Sequence, residues 1–390
     1  MGDVMVSVSA RTDIGRQRAG NEDSYLIADL TDGDATPEQG EVQHRLGKRG
    51  TLLVVSDGMG GAAGGEVASE LAVATVREAL VEFPQDLDPS DRIILASQSA
   101  NSRIWNHARD NPELTGMGAT LTAALVQDDS AYIAQVGDSR AYLLRGDEIS
   151  QVTKDQSWAQ LLVEAKLIDP EHAGRVAQNV IMQALGTQRE VRVTVTRVEI
   201  SSEDCILLCS DGLSNKVTKA EMLECVREES DLSGACERLV DLANERGGED
   251  NITVIIARFD GEALRVGKSI DGSVRTVNED FFSEEAMSSI GQIPVPAAAR
   301  PEQTTNIAPP PETGELELDP ADLAPGEADL YVPDEPVREK RPRARRMQYD
   351  VILLFALISV LLLAAAAYFV YVYYVKQPAP PNPIETGLLG

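Results

Sequence analysis

The chain is poor in histidine and cysteine and short of positive charge. Its three histidines, His44, His107 and His172, lie far apart. So few and so scattered, they give little support to an imidazole-bound zinc or a serine–histidine triad. The four cysteines, Cys205, Cys209, Cys225 and Cys236, contain no CxxC pair. Cys205 and Cys209 fall in the strand-like run DCILLCSDG, where buried thiols are common, so a reducing, cytosolic compartment is expected rather than a disulfide scaffold. Lys and Arg number 35 against 63 Asp and Glu, a formal charge of −28. That balance sets the chain against the phosphate backbone of nucleic acid. The N-terminus lacks the basic start, apolar stretch and small-residue cleavage site of a secretory signal.

What is present is apolar sequence, 43% of 390 residues, enough for one large core with appendages. The most informative stretch is LLVVSDGMGG, Leu52 to Gly61. A short Leu/Val run bounded by turn residues predicts a strand buried on both faces. Asp57 then stands at the strand's end, and Gly58, Gly60 and Gly61 let the backbone turn and bring a carbonyl close to whatever the carboxylate binds. A carboxylate beside a bare carbonyl outlines a hard-cation site. One Asp-Gly is more often a plain turn; repetition changes the reading.

The same design recurs in VGDSR at Asp138, in CSDGL at Asp211 and, with asparagine, in GGEDNI at Asp250. Strands are expected from Val4, Gly116, Ala131 (three in series), Glu190, Asp204 and Asn251. Helices are expected over 66–82, 90–109, 219–229 and 233–246, and a helical insertion over Lys154–Gly186 includes a second helix at Val176–Leu185. Mostly antiparallel strands with helices grouped outside them predict an α+β fold ending near Asp260. Four carboxylates gathered at one rim would repel one another unless cations neutralise them, and oxygen-only ligands favour Mg²⁺ or Mn²⁺ over zinc. Two such ions sharing one carboxylate and one water would activate that water toward phosphorus.

These residues resemble the metal-dependent protein serine/threonine phosphatases of the PPM class, bacterial branch. The matching pieces, in family order, are DIGRQRAGNEDSY from Asp13, DGMGG from Asp57, GAT at Gly118–Thr120, VGDSRAYLLR from Val136, VTKDQS from Val152, CSDGL from Cys209 and GGEDNITVII from Gly247. The resemblance implies two central antiparallel β-sheets flanked by helices, an α-β-β-α sandwich over residues 1–260. It implies two Mn²⁺ or Mg²⁺ ions bridged by Asp57, one served by the Gly58 carbonyl and through water by Glu22 or Asp23, the other by Asp211 and Asp250. Asp138 would hold a third, looser ion. Arg18 aligns with the arginine that grips the substrate phosphate; Arg16 is its rival, with spacing to Asp23 wrong by two. The insertion would be a flap shaping protein-substrate access. One departure is Met59, where some relatives carry a histidine that protonates the leaving group. The implied function is hydrolysis of phosphoserine and phosphothreonine on proteins, opposing a membrane serine/threonine kinase; the alternatives are an inactive phosphoprotein-binding scaffold and a structural calcium module.

Beyond residue 260 the composition changes. Residues 261–337 carry 16 acids and 4 bases and lose apolar periodicity, which predicts a disordered, proline-rich linker. A basic segment, 338–350, precedes Val351–Val375, which has no charged residue. As a helix that stretch would rise about 37 Å, enough to cross a hydrocarbon core of about 30 Å. The basic flank predicts a single-pass cell-membrane anchor with the catalytic domain cytoplasmic and a short outer tail, 376–390.

Overall fold

Residues 52–55 are all apolar because both faces of the strand they form are covered: Leu52 and Val54 enter one core, Leu53 and Val55 another. The computed structural model describes residues 3–31, 41–60, 64–169, 172, 180–278 and 281–282. In chain order these form β1 (Met5–Asp13), β2 (Asp23–Asp29), β3 (Val42–Arg45), β4 (Thr51–Met59), α1 (Gly64–Glu82), α2 (Pro89–Asp110), β5 (Gly118–Ala119), β6 (Leu121–Gln127), β7 (Ser130–Val136), β8 (Arg140–Arg145) and β9 (Glu148–Gln151). They continue as α3 (Trp158–Glu164), β10 (Thr194–Glu199), β11 (Asp204–Cys209), α4 (Asp211–Ser214), α5 (Lys219–Glu228), α6 (Leu232–Glu245), β12 (Ile252–Asp260) and β13 (Val274–Thr276).

The strands make two antiparallel sheets. One runs β3-β1-β12-β11-β8-β9; the other runs β13-β10-β7-β6-β4-β2, with β5 added to the end of β4. Alternation in each central strand explains the stacking. Ile206 and Leu208 of β11 face the other sheet, while Leu207 and Cys209 face α5 and α6. Leu121 and Leu125 of β6 face α1 and α2, while Ala124 and Val126 face inward. Four layers result, as the α-β-β-α expectation has it. Each fully buried leucine here contributes about 2 kcal/mol of burial free energy. The outer helices start on strong local signals: Asp88 accepts from Ser90 N ahead of Pro89, and Thr218 and Glu221 form a reciprocal capping box.

Two expectations change. Residues 180–185 are not helical: Ile181 bridges to Ser157 and Leu185 to Ala119, so this part of the insertion is extended. Residues 176–179 of that expected helix lie outside the described residues. The domain also runs past Asp260. Leu264 and Ile270 are buried in the inter-sheet core, and β13 pairs with β10 at the sheet edge. Apolar anchors spaced singly gave no periodicity to read, yet each finds a slot between elements already built. The basic segment 338–350, the expected transmembrane helix 351–375, the tail 376–390 and nearly all of the linker after Asn278 lie outside the described residues. Among the described residues no helix is long and apolar enough to cross a membrane.

Candidate active site

Three strand ends and two loops bring the predicted carboxylates to one end of the sheet stack. Asp23, opening β2, and Asp57, near the end of β4, are direct register partners. Asp211 follows β11 and Asp250 precedes β12; since β11 and β12 are hydrogen-bonded neighbours, both sit at the same edge. Asp138 lies in the tight β7–β8 turn and lines a cleft of about 90 Å³ with Asp211, Asp155, Arg140 and Ser157.

The approach of α1 to this edge depends on glycine. A Cβ on Gly58 would stand 2.0 Å from the Gly65 carbonyl oxygen and 2.6 Å from that of Glu22. Backbone therefore meets backbone, and Gly58 N donates to Glu22 O at 3.0 Å. Gly61 lies outside the described residues.

Asp57, Asp23 and the Arg18 loop are held by neighbours that sequence reasoning did not assign. The Thr120 hydroxyl accepts from Asp57 N at 2.9 Å, and Thr120 N donates to Asp57 O at 2.8 Å. Ser210 Oγ donates to Asp23 Oδ2 at 2.7 Å while accepting from Thr253 N. Asn251 fastens the Arg18 loop: its Nδ2 donates to the carbonyls of Ile14 and Gly20, and its Oδ1 accepts from Glu22 N. The short motifs GAT, CSD and DNI contained these residues, but their partners lie on other strands.

The electrostatics are those of a group of acids short of counter-charge. Burial, reinforced by Asp211 and Asp250, pushes Asp23 up to about 7, against the pull of the Thr253 and Ser210 hydroxyls. Burial, then Asp211 and Asp155, pushes Asp138 up to about 8 although Arg140 opposes it. Asp57 is held well above the usual carboxylate range by burial and by Asp23, Asp211, Asp138 and Asp250. Asp211 is raised by burial and Asp250, with Arg140 and the Asn215 amide, which donates to Oδ2 at 3.1 Å, opposing the shift. Glu22 is raised by burial and turns toward Arg18. Arg18 Nη2 donates to Asp250 Oδ2 at 2.8 Å and Nη1 lies 3.7 Å from Glu22. No contact places Arg16 among these acids; its backbone N donates to Gly248 O.

The residues fit divalent metal by chemistry. Asp23 Oδ1 and Asp211 Oδ1 are enclosed yet have no hydrogen-bond partner, and an orphaned buried carboxylate oxygen calls for a cation. The Arg18 guanidinium already stands against Asp250 as a cation would. Among the described residues no three His, Cys, Asp or Glu side chains close into a ready-made cage.

Residues 32–250 match the family described as protein phosphatase 2C. A serine/threonine protein phosphatase, PstP of Mycobacterium tuberculosis, is 38% identical over 258 residues, which are 65% of this chain and 45% of that protein. The chain thus spans less than half the length of that relative. The serine/threonine phosphatase stp of Listeria innocua is 36% identical over 250 residues, 63% of this chain and 93% of that protein. The crystal structure of the catalytic domain of PstP in complex with two manganese ions superposes with a TM-score of 0.55 at 36% identity, covering 66% of this chain and 99% of that one. Seven motifs in order, the two-sheet sandwich and these likenesses agree: the chain belongs to the protein phosphatase 2C family.

Proposed function

We propose that the chain is a metal-dependent phosphatase acting on phosphoserine and phosphothreonine of proteins, and that it works at the inner face of a membrane. The observation that carries the first part is the Asp23–Asp57–Asp211 group, enclosed and mutually repelling, with Arg140 acting on Asp211 but no salt bridge to any of the three among the described residues. Such a group costs stability unless cations occupy it, and a site kept at that cost is a functional one.

Asp57 would be the shared ligand, with the Gly58 carbonyl and Asp23 on one side and Asp211 and Asp250 on the other. Asp23 is better placed than Glu22, being Asp57's register partner with one oxygen unpartnered. Asp138 would serve a third ion from the cleft wall. Mn²⁺ or Mg²⁺ held there would supply Lewis acidity and lower the pKa of bound water, so that no protein nucleophile is needed. Arg18, about half exposed, turns its forked guanidinium to two oxygens of the phosphate monoester once Asp250 has another positive partner. Thr120 and Ser210 keep Asp57 and Asp23 aimed, and α3 shapes the approach. Release of phosphate from p-nitrophenyl phosphate with Mn²⁺, lost in Asp57→Asn, tests the proposal. No release by the wild-type chain would overturn it in favour of a phosphoprotein-binding scaffold.

The membrane part rests on the sequence: 25 uncharged residues, Val351–Val375, behind the basic run Arg338–Arg346. A single-pass anchor leaves the catalytic domain in the cytoplasm. It also raises the effective concentration of any membrane-bound serine/threonine kinase that makes the substrate. Retention of the chain in the membrane fraction after alkaline carbonate washing is expected; release would sink the anchor.

A further inference from the structure

The flap helix α3 is seven residues long, too short to stand alone in water. What packs on it therefore decides where it sits. Its first residues, Ser157, Ala159 and Gln160, line the cleft beside Asp138 and Asp211. Trp158 and Leu161, three apart, share another face. That face is covered by Phe281 and Phe282 together with Met182 in a small apolar cluster separate from the three main cores. The two phenylalanine rings meet edge-on, centroids 5.0 Å apart at 89°, and Lys154 Nζ lies 5.8 Å above the Phe282 ring.

These phenylalanines belong to the segment that continues beyond the last strand of the inter-sheet core, and the family match has ended at residue 250. The segment is fastened along its length. Arg145 donates to Ser269 O at 2.7 Å and to Ser273 Oγ at 2.6 Å. After β13, Asn278 accepts from Val195 N at 2.8 Å and donates to Val193 O at 2.6 Å. The chain is thus pinned three residues before Phe281.

We propose that Phe281 and Phe282 are positioning residues for the flap: by covering Trp158 and Leu161 they set α3 against the cleft and so tune the fit of a protein substrate. A phosphate small enough to need only the carboxylates and Arg18 does not feel this support. The inference rests on the phosphatase reading of the same site.

The experiment uses the full chain. The protein has two tryptophans, so Trp105→Phe leaves Trp158 as the reporter. In that background Phe281→Ala/Phe282→Ala is expected to red-shift Trp158 emission and to raise KM for a phosphoprotein about tenfold, with kcat/KM for p-nitrophenyl phosphate within about twofold. Phe281→Leu/Phe282→Leu, which restores apolar cover, is expected to rescue both readouts. Unmoved emission would overturn the packing claim. Shifted emission with equal losses on both substrates, or with none, would overturn the role in substrate fit. A wild-type chain inert toward both substrates would remove the phosphatase reading, and this inference with it.

Discussion

Among the described residues two places bury carboxylates, and they are resolved in opposite ways. Asp204 is fully buried, but Arg145, 4% exposed, answers it with Nε and Nη2 at 2.8 and 2.7 Å, and Ser201 N donates to it as well. Every acceptor there has a donor from the chain itself, and the Arg145 pKa is raised by its hydrogen bonds to Asp204. At the other place Asp23, Asp57, Asp138 and Asp211 face one another with oxygens left over. The first group is structural because it is complete. The second is incomplete by the same accounting, and the missing charge must come from solution.

The comparison can be broken at its widest point by Asp57→Asn. We expect Mn²⁺-dependent hydrolysis to fall by ~10⁴-fold or more, about 5.4 kcal/mol of barrier, while the melting temperature of the metal-free protein rises because one crowded acid is gone. Activity within tenfold of wild type would undo the ligand assignment. Asp204→Ala should do the reverse, leaving Arg145 buried and unanswered at a cost of about 3–5 kcal/mol. Denaturant melts check it, and a loss under about 1 kcal/mol would show the pair to be dispensable.

A pH series sharpens the contrast. The folded protein holds Asp23 and Asp138 protonated up to about 7 and about 8, whereas the unfolded chain releases those protons near 3.9. The folded state thus binds more protons, and the metal-free protein in chelator should be most stable below pH 4 as far as these groups go, losing that stability as pH rises toward 8. Mn²⁺ should reverse the slope, since ligands bind it deprotonated. A chelated melting curve flat from pH 5 to 8 would contradict the crowding. The smallest effect belongs to the exposed Arg227–Asp147 pair, where Asp147→Ala should cost less than about 0.5 kcal/mol.

Legibility in the sequence followed the same division between local and assembled features. β4, β11 and β12 were readable because a strand covered on both faces carries an unbroken apolar run, and the acids near their ends came with it. β3, Val42–Arg45, was not: it is a half-exposed edge strand whose pairing with β1 rather than its composition makes it one. β13 escaped for the same reason, and an acidic, proline-rich average hid the isolated anchors Leu264 and Ile270. Within the site the carboxylates stood out, but Thr120, Ser210 and Asn251 did not. A hydroxyl or amide that orients an acid is recognisable only once its partner strand is beside it. Met59, at 38% exposed, offers no proton where some relatives place a histidine.

β12 occupies the interior of its sheet, paired on one side with β1 and on the other with β11. Among the described strands β1 is made well before β12 and waits for it, and Asp250 is set beside Asp23 only when that later strand slides into the gap. A nascent or prematurely terminated chain lacking β12 is left with a split sheet, and Asp250 has no strand behind it to hold it beside the other acids. On the proposed reading, hydrolysis must wait until β12 has been made, a delay written into strand order alone.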